Sequence, residues 1–213
     1  MRKHMAVILI LLFSKIVFSA LPEKEIKNFE AQYKLAQNTA LPMGVRWKAL
    51  LAASEVADSH QVQKIIAFSK DKDWYMRNAS LVALQKMGTD LIYDQAKSLM
   101  TDKALVVRSA AAEILMKLDN REVRRIFSEE ISKKYNFNGQ HSLWIRSQMM
   151  RYLVQKPTAE ERSFFVKYLF ENDPEIATLS AEALQKLTNI RFKGKTKSET
   201  ISQWRQHAQN EKW

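Results

Sequence analysis

The sequence predicts an all-α protein built from repeated helix pairs, and three observations carry that prediction. Val45, Met76, Val107, Ile145 and Ile176 recur at intervals of 31, 31, 38 and 31 residues, each in the same phase of an amphipathic pattern. Only four Gly and four Pro stand among 213 residues, too few tight turns for a sandwich of many strands. Strand-type alternation is nowhere sustained. A helical period of this length is that of a stacked array, in which no single unit can bury its apolar face alone. One elongated domain is therefore expected over residues 20–213, with its core spread along the stack.

Residues 1–19 read as a secretory signal peptide. Arg2, Lys3 and His4 form a basic head, Met5 to Phe13 an apolar run, and Val17 and Ser19 suit the small-residue positions before a cut. Cleavage is expected after Ser19, because a cut after Ala20 would place bulky Phe18 at the restrictive third position. The alternative is an uncleaved anchor. Lys15 interrupts the apolar stretch, which falls far short of the roughly 20 residues that a spanning helix needs. The absence of cysteine removes disulfides, thiolate chemistry, Cys-bound metals and a lipid-anchored lipoprotein together. Loss of Arg2, Lys3 and Lys15 with the signal leaves 31 basic against 23 acidic residues, a net charge of +8. A basic exported chain suits an acidic protein, anionic lipid or a polyanionic polymer, and makes nucleic acid the least expected partner.

Each marker residue sits near the start of the second helix of a pair. In the most regular copy, apolar or small residues fall at the marker and at +3, +7, +8 and +11 (Met76, Ala79, Ala83, Leu84, Met87), one face of a 3.6-residue period. The first helices are expected over 23–37, 60–69, 90–100, 121–135 and 159–170. Thr158 with Glu161 forms a capping box, Asp173 with Pro174 places a capping side chain before a first-turn proline, and Gly88 closes a helix. The 38-residue interval carries seven extra residues, and Asn136-Phe137-Asn138-Gly139 supplies a turn signal within it. That insertion is expected to lengthen a first helix and its loop. A closing helix over about 198–212 should cover the end of the stack.

These residues resemble the HEAT-repeat family, an armadillo-like group. Its second helix begins with an acidic residue, then a hydrophobic-Arg pair, then an alanine-rich face ending in Ala-Leu. Here Asp71 precedes Arg77 by six residues, and Asp102 precedes Arg108 by six. The resemblance covers about residues 23–187. It implies a right-handed α-solenoid of about five helix pairs with a C-terminal capping helix, and a structural ladder between neighbouring repeats made by Asp71, Arg77, Asp102 and Arg108. The pattern weakens outward, where Gln140 precedes Arg146, Glu171 precedes Ala177 and Ala40 precedes Arg46. Such motifs specify a fold and not a ligand.

Catalytic signatures are sparse. Gly194-Lys195-Thr196 looks like the tail of a phosphate-binding loop, but Asn189 replaces its first glycine and no strand precedes it, which removes the backbone cradle. His60, His141 and His207 lie in different repeats without metal-ligand spacing, so no metal or cofactor is expected and the histidines read as solvated. HEAT-like DNA glycosylases are similarly small and basic, yet Trp47, Trp74 and Trp144 stand at +2, −2 and −1 from their markers, unlike phases that read as packing rather than a shared platform.

A candidate partner surface remains. The +10 position of the second helices reads Glu55, Lys86, Lys117, Gln155 and Lys186, and the +9 position adds Met116 and Val154 as apolar contacts. With Arg191, Lys193, Lys195 and Lys197 of the loop before the last helix, these lysines would form one anion-preferring surface. The expected function is that of an exported, non-enzymatic scaffold binding a protein partner in the periplasm or cell envelope. An envelope-associated binder of anionic lipid or polymer is the alternative, and a glycosylase or hydrolase on the same scaffold the enzymatic one.

Overall fold

The computed structural model describes residues 22–118 and 120–213, so the signal expected at 1–19 and its cut after Ser19 lie outside the described residues. The protein is all-α. Its first helices are α1 (Glu23–Gln37), α3 (Val62–Ala67), α5 (Leu91–Leu99), α7 (Arg121–Glu130) and α9 (Arg162–Leu169). Each precedes a second helix: α2 (Met43–Glu55), α4 (Trp74–Met87), α6 (Leu105–Leu115), α8 (Trp144–Gln155) and α10 (Pro174–Thr188). A last helix, α11, spans Lys197–Asn210. Several first helices are shorter than expected because their ends tighten into 3₁₀ turns, at Phe68–Lys70 after α3 and at Ala159–Glu161 before α9.

Local chemistry sets the boundaries. Gly88 ends α4 at φ 65°, a left-handed conformation that glycine reaches without strain. Asp173 accepts from the N–H groups of Glu175 and Ile176 at 2.9 and 3.2 Å, and Pro174 opens α10. Thr158 and Glu161 form a reciprocal capping box, with the Thr158 N–H 2.9 Å from a Glu161 carboxylate oxygen. Asn120 and Thr196 accept first-turn N–H groups at the starts of α7 and α11.

Each first helix packs on its own second helix, α11 packs on α9 and α10, and the even-numbered helices contact one another in the order α2, α4, α6, α8, α10. The markers explain this row. Met76, Val107, Ile145 and Ile176 are fully buried, whereas Val45 is 43% exposed. The marker faces the preceding pair, and α1 with α2 is the first pair among the described residues. Lys48, one turn on from Val45, is exposed for the same reason, while its counterpart Ala79 is fully buried.

The insertion does not lengthen a first helix. α7 stops at Glu130, and the added residues form a 3₁₀ turn, Lys134–Asn136, followed by a hairpin of β1 (Phe137–Asn138) and β2 (His141–Ser142). Gly139 turns that hairpin at φ 61°. Beyond α10, Phe192 and His207 pack around the buried Trp204, with ring centroids 4.9 and 6.0 Å from it, and Trp213 lies 6.5 Å away. His207 is therefore half-buried among rings, not solvated as expected from the sequence. Among the described residues no helix is long and apolar enough to cross a membrane.

Candidate interaction surface

Four buried arginines near the starts of α2, α4, α6 and α8 reach the chain just before the next second helix. Arg46 donates to Asp71 at 2.8 Å, to Asp73 at 2.6 Å and to the Tyr75 hydroxyl at 2.8 Å. Arg77 forms a two-pronged pair with Asp102 at 2.5 and 2.7 Å and also donates to the Asp71 carbonyl at 2.9 Å. Arg146 grips both oxygens of Glu171 at 2.9 and 2.8 Å and stacks 4.1 Å from the Phe137 ring. The two-pronged Arg77–Asp102 pair fixes direction as well as distance, and each arginine ties the start of one second helix to the chain leading into the next.

The third rung differs. Arg108 donates to the Asn136 side chain at 3.0 Å and to the carbonyls of Asp102 and Tyr135 at 2.7 and 2.6 Å, with no carboxylate partner among the described residues. Asn136 is fully buried and uses its amide to hold the Glu130 carbonyl at 2.8 Å. Gln140, which stands where an acid would face Arg108, lies in the hairpin turn. The electrostatics follow. The hydrogen bond to Asp102, opposed by burial, raises the Arg77 pKa. Burial lowers that of Arg108. For Asp102 burial acts upward, but the Arg77 bond, the Ala104 N–H and the charges of Arg77 and Arg108 outweigh it and hold the carboxyl below its ordinary value.

Of the ladder residues expected from the sequence, the structure joins Arg77 to Asp102 through side chains. The Asp71 carboxylate meets Arg46, while its own repeat's Arg77 takes only the Asp71 backbone carbonyl. The departures noted in the repeat pattern therefore have a reason: among the described residues Ala40 has no earlier arginine to meet, and Glu171 serves Arg146 rather than position 177. Sequence reasoning missed Arg205, which donates to the carbonyls of Leu169 and Glu171 at 2.8 and 2.9 Å from α11. It also missed Arg124, paired through both prongs with the capping-box Glu161.

The lysine strip is less open than its spacing suggests. Lys86 pairs with Glu55 at 2.7 Å, and Lys186 donates to the Val154 carbonyl at 2.8 Å, closing the C-terminal end of α8. Lys117 is exposed, Met116 is half-buried and Val154 is buried, so Val154 cannot serve as a contact. Arg191, Lys193 and Lys195 of the loop before α11, and Lys197 at the first position of that helix, are all exposed. The loop's backbone is already occupied: the Gly194 N–H donates to Thr200 and the Lys195 N–H to Glu199, which leaves neither for a phosphate. A Cβ on Gly194 would meet Glu199 at 2.5 Å, so this glycine serves close packing against α11.

At the opposite end of the same helices the surface is apolar. Met43, Trp74, Val106 and Trp144 are 52%, 44%, 38% and 58% exposed on α2, α4, α6 and α8. Trp74 and Trp144 differ in phase by about 100°, as the sequence indicates, yet each is the first residue of its helix. Trp47 packs partly against the core, whereas Trp74 and Trp144 stand open. Trp144 is fixed in place: its indole N–H donates to the Ser109 hydroxyl at 3.1 Å, which donates to Gln148 at 2.8 Å.

A cleft of about 630 Å³ lies between α10 and α11 and is lined by Glu171, Glu175, Leu179, Glu182, Ile201 and Arg205 among others. Glu171 and Glu175 there are engaged by Arg146 and by Ser147. Among the described residues no group of three or more His, Asp or Glu side chains is placed to hold a metal ion. The chain matches no protein-family model and no curated protein.

Proposed function

We propose that the chain is a right-handed, HEAT-like solenoid of five helix pairs closed by α11, exported from the cytoplasm. In this reading it works without catalysis, as a scaffold binding a protein partner in the periplasm or cell envelope. The observation that carries the reading is the series of second helices, each in contact with the next and tied to it by Arg46, Arg77, Arg108 or Arg146. Those arginines spend their donors inside the protein, which makes a rigid row whose outer side is free for contact. Rigid, repeated faces suit extended partners because little conformational freedom is lost on binding. Binding of anionic lipid or polymer through Lys86, Lys117 and Lys186 has less support, since two of the three are already engaged. The test is mild crosslinking and affinity capture from the native envelope, with N-terminal sequencing of the recovered chain. A discrete partner and a chain beginning at Ala20 are expected. An intact Met1 on the recovered chain, or substrate turnover by the pure protein with no partner captured, would overturn the reading.

A further inference from the structure

We propose that the edge formed by Trp74, Val106 and Trp144, flanked by Lys72 and Lys103, docks an acidic, proline-rich segment of a partner protein in the extended polyproline II conformation. The inference rests on the scaffold reading and names the chemistry of the partner. Four features of the edge carry it.

The first is preorganised apolar surface. Trp144 keeps more than half of its area in solvent while its one polar atom is satisfied inward by Ser109, so the ring is a fixed plate laid across α6 and α8. Trp74 is braced edge-on against Tyr75, with ring centroids 6.1 Å apart. Large rings that are already ordered lose little entropy when a ligand covers them.

The second is spacing. Packed helices lie about 8 to 10 Å apart, and a polyproline II chain advances about 9.3 Å in each three-residue turn, returning every third side chain to the same side. A segment crossing α4, α6 and α8 at their N-terminal ends would thus set one apolar side chain against each of Trp74, Val106 and Trp144. A β-strand would alternate its side chains and miss every second plate.

The third is charge. Lys72 and Lys103 occupy equivalent places four residues before Met76 and Val107, both are exposed, and among the described residues neither makes an ion pair. The acids of the same loops, Asp71, Asp73 and Asp102, are turned inward onto Arg46 and Arg77. Beside Trp74 and Val106 the exposed charges are therefore cations, next to the positive ends of α4 and α6, while the exposed Glu175 of α10, which accepts from Ser147 of α8, is paired with Arg151. Glu113 lies two turns further along α6 and marks where the anion preference ends.

The fourth favours a polypeptide over a membrane. A tryptophan that anchors at a bilayer surface turns its N–H toward water and headgroups. Trp144 turns its N–H into the protein.

The test uses the purified chain and a fluorescent peptide of four Glu-Pro-Leu repeats, read by anisotropy. Micromolar binding is expected, weakened about tenfold or more by Trp144→Ala or by Lys72→Glu with Lys103→Glu, while the melting temperature stays put. Trp74→Ala provides a second variant should Trp144→Ala disturb folding. Peptides with Lys in place of Glu, or Ser in place of Leu, should bind at least about tenfold more weakly. Equal binding of the Lys peptide, indifference to both tryptophan variants, or capture by phosphatidylglycerol vesicles in place of the peptide would overturn the edge. If the peptide fails while Trp144→Ala still captures the native partner, the edge is wrong and the scaffold stands. If the unaltered chain captures no native partner, the scaffold reading fails with it.

Discussion

The rung from Arg77 to Asp102 and the rung from Arg108 to Asn136 perform the same task one repeat apart with different chemistry. In the first, a buried guanidinium meets a buried carboxylate through both prongs, and the two charges cancel. In the second, an equally buried guanidinium is held by neutral oxygens. The 38-residue repeat moves the acid position into a hairpin turn, and Asn136 fills the place with an amide that can accept from Arg108 and donate to Glu130. What the row requires is satisfied donors at a fixed position. A carboxylate is one way to satisfy them.

The contrast is broken or sharpened most strongly by paired substitutions that keep side-chain volume. Arg77→Met strands Asp102 as a buried charge and is expected to cost about 3 to 5 kcal/mol. Arg108→Met leaves only neutral acceptors, which cost about 1 to 3 kcal/mol when unpaired. Urea unfolding of the two variants measures the difference. Equal losses would show that the carboxylate is incidental.

Acid sharpens the same comparison with a smaller effect. The Asp102 carboxyl sits below its ordinary value in the folded chain. Its contribution is therefore complete above the unfolded aspartate pKa of about 3.9 and is lost as the pH falls through the lower folded value. The stability gap between the unaltered chain and Arg77→Met should narrow below about pH 4, whereas the gap to Arg108→Met should narrow less. Parallel curves for both variants would detach Asp102 from the rung.

The smallest effect is expected from a surface pair that spans the same row. Lys86 and Glu55 join α4 to α2 at 2.7 Å with both side chains largely exposed. Lys86→Ala should shift unfolding by about 0 to 1 kcal/mol, and by less at high salt. A loss matching that of Arg77→Met would mean that burial is not what separates the rungs from surface pairs.

Much of the fold is legible in single residues. Gly88, Asp173 with Pro174, and Thr158 with Glu161 mark helix ends through local hydrogen bonds and backbone preferences, and α1 occupies the span its pattern predicts. The rungs were legible too, in a spacing other than the six-residue one. Arg46 to Asp71, Arg77 to Asp102 and Arg146 to Glu171 all lie 25 residues apart, six short of the repeat. The hairpin at β1 and β2 was marked only by its turn, because two-residue strands leave no alternation to read. The candidate surface was the least legible. Lys86 and Lys186 look free until Glu55 and the Val154 carbonyl stand beside them.

The sequence by itself determined the helix ends at Gly88, Asp173 and Thr158, and that the second helices recur in one phase, because capping, proline geometry and apolar periodicity act within a few residues of chain. Only the tertiary structure decided which acid each arginine meets, that Val45 is open where Met76 is closed, and that Trp74 and Trp144 stand open where Trp47 packs against the core. Those outcomes depend on which helix lies beside which through space, and a side chain's burial and partners are set by its neighbours across the packing rather than by its neighbours along the chain.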